Sequence, residues 1–303
     1  MAAETTITAL GDAAPTRHRR APRWIRSLSR RWLATAGFIV LLLVVTAAVA
    51  APLIAPHDPR RGELMDSKLP PMWSEGGMRT YPLGTDMLGR DILSRVIYGS
   101  RISLAVGFTA VAVAGAIGVS IGVVSGYYSG RVDDVIMRLA EIQLAVPFIL
   151  FAIAVLAVLG PGLKNLILVL GITGWVTYAR VVRGQVLSFR EKEFVEAARA
   201  LGAGDLRIMF RHILPNTFAS LIVIASFAVA ATILTEAALS FLGLGVPPSV
   251  PTWGGMVADG REQILTNRWW MYVPPGVAIM LTVLAINAVG DWLRDFLDPR
   301  LRV

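Results

Sequence analysis

The side chains that could do covalent or redox chemistry are few in this chain and poorly placed to cooperate. Cysteine is absent, which excludes disulfides, thiolate metal ligands and thiol nucleophiles. The histidines are His18, His57 and His212, too scattered for a metal site or a catalytic triad; each reads most simply as a surface or interface residue. Lys68, Lys164 and Lys192 are the lysines, and none follows a glycine, so the phosphate-cradling G-x-x-x-x-G-K-[ST] loop is missing. The chain is therefore expected to be no enzyme, to hold no metal and to carry no cofactor. One dense stretch of ionisable residues remains, EFVEAARALGAGDLRIMFRHILPN at 193–216.

That stretch has a shape. Good helix formers run from Glu193 to Leu201, with Phe194, Ala197, Ala198 and Leu201 spaced i, i+3, i+4, i+7, and with Glu193 and Glu196 between them. Gly202-Ala203-Gly204 breaks the helix. Asp205 then stands where an N-cap belongs, ahead of Leu206, Met209, Phe210 and Ile213 at the same spacing. Leu214-Pro215 ends the unit, the proline kinking the second helix or marking its junction with the next apolar segment. Two short helices with one apolar face each do not hold together in water. They must pack on membrane-proximal helices or on a partner protein. A DNA-reading helix-turn-helix is the competing use of this shape, but a tether between two membrane spans leaves no room to embrace a duplex, so no nucleic-acid partner is expected.

The elements around this stretch are those of a membrane protein. Of 303 residues, 55% are hydrophobic and 17% charged, against about 25% charged in an ordinary soluble domain. Mean hydropathy is +0.61. Segments near 33–54, 102–127, 139–159, 166–182, 218–242 and 277–293 can each cross a bilayer, which takes about 20 apolar residues. The expected fold class is thus an all-α polytopic membrane protein with six transmembrane helices. The net charge of +8 reflects arginine in the tail (Arg17 to Arg31), in Arg131 and Arg138, and in Arg180 to Arg211. The positive-inside rule puts these segments, Arg294, Arg300 and Arg302, and both termini in the cytoplasm. The first segment is longer than a signal-peptide core, so it is expected to stay as an uncleaved anchor, behind a disordered 1–23.

The expected organisation is a basic tail at 1–32, a first span at 33–55 and an outward loop at 56–101. A five-helix core follows at 102–293 with a cytoplasmic loop at 183–216 and an outward loop at 243–276, and a tail closes the chain at 294–303. Ile92, Leu93, Val96 and Ile97 predict a short interfacial helix ahead of the second span. Trp269, Trp270 and Tyr272 suit anchoring at the membrane–water boundary. Among charges near the spans, Glu141 beside Arg138, and Asp291 with Arg294 at i, i+3, read as solvated or paired end residues. Glu236 is the better functional candidate, facing the bundle interior or a pathway. Pro147, Gly160, Pro161, Gly171 and Gly174 would permit bending or close packing.

Glu196-Ala197-Ala198, then three residues and Gly202, and later Ile213-Leu214-Pro215 resemble the EAA motif of binding-protein-dependent ABC importer permeases. His212 departs from that pattern, which favours an aliphatic residue there. The blocks at 84–104, 130–134, 238–256 and 291–302 are similar to the C-type permease subunit of dipeptide and oligopeptide importers. The resemblance implies a type I ABC importer permease architecture in the bacterial cytoplasmic (inner) membrane, surrounded by lipid bilayer. It implies a homologous second permease subunit, two cytoplasmic ABC ATPase subunits or domains that bind ATP and Mg, and an extracytoplasmic peptide-binding protein. Glu193, Phe194, Glu196, Ala197, Ala198, Leu201, Gly202, Ala203, Asp205, Met209, Leu214 and Pro215 would form the ATPase-coupling loop. Nickel or glutathione is the alternative cargo in related systems. An ATP-independent secondary transporter is the runner-up class, and it would favour ionisable residues deep in the membrane and need no docking helix.

Overall fold

The structure is a computed structural model and describes residues 31–297; the expectations for the arginine-rich tail, and for Arg300 and Arg302, lie outside the described residues. Among the described residues the chain is helical, with one isolated bridge between Thr85 and Asp91. Helix α1 (Trp32–Val49) continues into a single turn, α2 (Ala51–Ile54). After a long loop, α3 (Ile92–Tyr128) forms the 37-residue axis of the bundle. Then come α4 (Gly130–Ala145), α5 (Phe148–Leu159), α6 (Leu163–Thr173) and α7 (Trp175–Phe189). The charged stretch supplies α8 (Glu193–Ala200) and α9 (Asp205–Arg207). A π-helical segment, Ile208–Ile213, carries α9 into α10 (Leu214–Phe241). Finally α11 (Trp253–Gly260) lies in the second long loop, and α12 (Val273–Leu297) closes the described residues.

Among the described residues five stretches are long and apolar enough to cross a membrane, or six if α4 and α5 count as one span. That pair is bent by 86° at Val146-Pro147, inside the third expected segment and at the proline expected to permit bending. Pro147 supplies no amide N–H and disfavours helix in the residue before it, which stops α4 there. Gly171 and Gly174 serve packing, since an added Cβ would meet Val113 at 2.8 Å and the Ala114 Cβ at 2.8 Å respectively.

The separate interfacial helix is also corrected. Asp91 caps α3 by accepting from the Ser94 amide at 3.0 Å, and the helix then runs unbroken from Ile92 into the span. Its early apolar residues are covered by protein: Ile92 packs with Met256 and Met271, and Val96 lies against them. The tryptophans expected at the membrane boundary join the same cap. Trp269 stacks on Trp73 at 6.4 Å, and the Trp270 indole donates to the Thr85 carbonyl at 3.3 Å.

At the opposite end of the bundle Arg31 pairs with Asp295, because α1 lies along α12 with Gly37 facing Ala285 and Ala288. Both ends of the described chain therefore share one side. Asp295 takes the role expected of Asp291, and no Asp291–Arg294 pair is present among the described residues. Glu141 does pair with Arg138, at 2.9 Å and in an exposed position.

The closest approach in the bundle went unnoticed in the sequence. Gly118, Gly122 and Gly126, spaced four apart on α3, form a flat strip against α7. A Cβ on Gly122 would lie 2.6 Å from the Ala179 carbonyl, and one on Gly126 2.8 Å from the Val186 Cβ. Gly122→Leu should therefore push α3 from α7 and lower stability by about 1–3 kcal/mol or more. Gly115→Ala should be silent, since its new methyl would meet only Tyr178, at 3.8 Å. Melting temperatures of the two variants in detergent check the contrast.

Candidate functional site

The stretch at 193–213 forms an arm at the end of the bundle that carries Arg31 and Asp295. Helix α8 ends as the Ala203 amide donates to the Ala198 carbonyl at 3.0 Å, with Gly202 at φ +79°. Only glycine takes that left-handed conformation without strain. The Gly turn therefore stands where the spacing placed it.

The faces of the two helices differ from the expected stripes. Val195 and Ala198 of α8, with Ile208, Met209 and Ile213, are buried in the main core, and Leu214 packs beside them. Of the expected first stripe, only Ala198 is buried; Phe194 and Ala197 are exposed and Leu201 is 89% exposed. In the second, Met209 and Ile213 are buried while Leu206 is 69% and Phe210 50% exposed. An eight-residue helix turns one edge to the bundle, and its packing register selected Val195 rather than Phe194. The outer edge thus presents Phe194, Leu201, Leu206 and Phe210, with the exposed carboxylates Glu193 and Glu196 beside them.

Asp205 is not the N-cap. Gly204 holds that position, and the Asp205 carboxylate accepts from the Tyr127 hydroxyl at 2.7 Å. Pro215 sits in the first turn of α10, where a missing amide costs least, and the Leu214 amide reaches back to Met209 across the wide turn. His212 is half-buried, and its carbonyl accepts from the Asn216 side chain at 2.6 Å.

A partly buried ion pair fixes the root of the arm. Arg183, near the end of α7, grips Asp133 of α4 with Nε and Nη2, and Ser125 Oγ of α3 also donates to Asp133. Arg190 adds a longer bond to the Tyr127 carbonyl, 3.4 Å. Asp133 lies in the GRVDD block, but nothing in a single sequence links it to an arginine 50 residues away.

Glu236 is 1% exposed inside the bundle. Its Oε1 accepts from Ser240 at 2.7 Å, and the Ser103 and Thr252 hydroxyls flank it. The structure thus places it against α3 and the α11 loop. Further out, Asp86, Arg90, Arg95 and Asp259 line a cavity of about 530 Å³. Burial pushes the Asp259 carboxyl above the ordinary carboxylate range, and Arg95 and Arg90 oppose that shift. Among the described residues no group of three or more histidines and carboxylates could hold a metal ion.

A helical bundle of apolar spans with an anchored, partly apolar arm defines a multi-pass membrane protein. Residues 118–303 match the family described as binding-protein-dependent transport system inner membrane component, and residues 23–71 match the N-terminal TM domain of oligopeptide transport permease C. The chain belongs to this family of inner-membrane permeases. It is 45% identical to the di/tripeptide transport system permease protein DppC of Pseudomonas aeruginosa, over 89% of this chain and 88% of that protein. Identity is 42% to the dipeptide permease DppC of Bacillus subtilis, covering 91% and 85% of the two chains. It is also 42% to the glutathione transport permease GsiD of Pectobacterium atrosepticum, covering 92% and 90%. An inward-facing structure of the MetNI methionine ABC transporter shares the fold, with a TM-score of 0.55 at 20% identity over 67% of this chain and 96% of that one.

Tyr127→Phe removes a hydrogen bond to a carboxylate and should loosen the arm without unfolding the bundle. Amide exchange in α8 should rise about tenfold while α12 keeps its protection, as mass-resolved hydrogen exchange would show.

Proposed function

We propose that this chain is a transmembrane subunit of an ATP-driven, binding-protein-dependent importer of di- or oligopeptides. The carrying observation is the arm, whose inner edge is fixed in the core while its outer edge exposes Phe194, Leu201, Leu206 and Phe210. Apolar side chains held in the open on a short anchored helix fit the groove of a partner protein. The partner is a cytoplasmic ATPase pair that binds ATP and Mg, while a homologous second permease completes the pathway and a binding protein delivers peptide. The arm and both termini lie in the cytoplasm, in keeping with the arginine distribution.

The coupling route is continuous. Displacement of α8 and α9 enters α10 through the π-helical turn, and it reaches α7 and α4 through Arg183 and Asp133. Glu236 lies further along α10 and takes part in the response of the pathway from inside the bundle. The similarity to di/tripeptide and dipeptide permeases supports peptide cargo. Glutathione, itself a small peptide, is the second reading that the GsiD similarity favours.

Glu196→Lys, which reverses charge on the outer edge, and Gly202→Pro, which cannot hold φ +79°, should each abolish peptide uptake while the chain still reaches the membrane. Normal uptake from either variant overturns the docking role. Co-purification of the wild-type chain with an ATPase in mild detergent, weakened by Glu196→Lys, is the direct measurement.

A further inference from the structure

The cap contains a charge cluster that the coupling arm does not explain. Its first pair is internally satisfied. Asp86 Oδ1 accepts from the amides of Leu88 at 2.8 Å and Arg90 at 3.0 Å, and Asp86 Oδ2 accepts from Arg90 Nε at 2.7 Å. Arg90 Nη1 then donates to the Pro248 carbonyl at 3.0 Å. Arg90 therefore has its charge matched and its donors in use.

Arg95 is different. It is 2% exposed, yet its carboxylate contacts are long: Nη2 donates to Asp259 at 3.5 Å, and Asp86 stands 3.6 Å from Nη1. Nη1 has no hydrogen-bond partner at all. A buried guanidinium nitrogen left idle is costly, because it has lost water without gaining an acceptor. This one lines the cavity of about 530 Å³, whose other walls include Ile92, Leu242, Val246, Met256 and Met271. The result is a largely apolar recess beside a planar cationic fork whose Nη1 is unpartnered and whose Nη2 holds Asp259 only at 3.5 Å, a fork of the geometry that matches a carboxylate bidentately.

We propose that this recess is a carboxylate subsite, in which Arg95 receives the C-terminal carboxylate of a short peptide. The proposal rests on the peptide reading of the cargo. Asp259, whose side chain is 38% exposed, competes for the same guanidinium from the rim. An entering carboxylate takes the idle Nη1 edge, and the apolar walls take the adjoining side chain.

The test uses the full-length chain co-expressed with its permease and ATPase partners and reconstituted in nanodiscs without the binding protein, so that this subunit's preference is read alone. Trialanine and trialanine amide are titrated by calorimetry. The free acid should bind about tenfold more tightly than the amide, the worth of one charge-assisted pair. Arg95→Gln should erase that preference, and Arg95→Lys should retain part of it. Asp259→Asn should strengthen binding of the acid and leave the amide unchanged, an improvement that loss of structure cannot mimic. Equal binding of acid and amide to the wild type, or an undiminished preference in Arg95→Gln, overturns the subsite. Uptake of labelled trialanine by cells carrying the whole importer separates the two readings. Uptake with no Arg95-dependent preference in the reconstituted complex removes only the subsite, whereas absence of uptake removes the peptide reading with it.

Discussion

The contact between α3 and α7 is the constraint on which the rest of the structure depends. Between membrane helices there is little hydrophobic gain to be had, because lipid is as apolar as leucine, so close van der Waals packing must hold them. The glycines at 118, 122 and 126 let the α3 backbone settle onto α7, bringing Gly122 against the Ala179 carbonyl. That approach aligns the ends of both helices. Ser125 and Tyr127 at the end of α3 then reach Asp133 and Asp205, and Arg183 on α7 completes the ion pair. Any separation of α3 and α7 would disturb all of these bonds together.

This arrangement makes the arm stiff at its root and free at its edge. Its inner residues, Val195, Ala198, Ile208 and Met209, are as buried as core residues elsewhere. At Gly202 the chain turns through a backbone conformation that glycine alone accepts easily, so α8 is presented at a fixed angle. A flexible loop would absorb a push; a short helix welded to two long ones transmits it. The π-helical segment is the irregular piece of the connection from α9 into α10. It lets Pro215 sit at the start of α10 without breaking the connection.

Much of this was legible in the sequence, and the misses have definite causes. The helix–Gly turn–helix of the arm followed from propensity and from Gly202, both local properties. The inward face did not, because the stripe Phe194, Ala197, Ala198 and Leu201 and the edge of Val195 and Ala198 are both apolar, and only the surrounding core decides between them. Asp205 looked like a cap because aspartate before an apolar stripe usually is one; a tyrosine 78 residues away claimed it instead. The run from Ile92 to Ile97 looked interfacial because its apolar spacing does not say whether lipid or protein covers it. The cap covers it, through Met256 and Met271. The glycine strip was readable as small residues every fourth position, and was obscured by its place inside a long apolar run.

The bend between α4 and α5 shows what a single chain leaves unfinished. Leu139, Ile142, Leu144, Ile149 and Leu150 flank the break and are 57%, 60%, 53%, 49% and 61% exposed. Apolar side chains alone would sit comfortably in lipid. The backbone at Val146-Pro147 would not, since an 86° break interrupts the helical ladder and hydrocarbon offers its polar groups no partner. Nearby, Gln143 already bridges the Thr173 carbonyl and the Trp175 indole, so the polar side chain on this side is committed within the subunit. Non-helical backbone at membrane depth persists only where protein or a water-filled cavity covers it. The bend therefore calls for cover by protein or by a water-filled cavity, which the exposed apolar residues around it do not themselves supply.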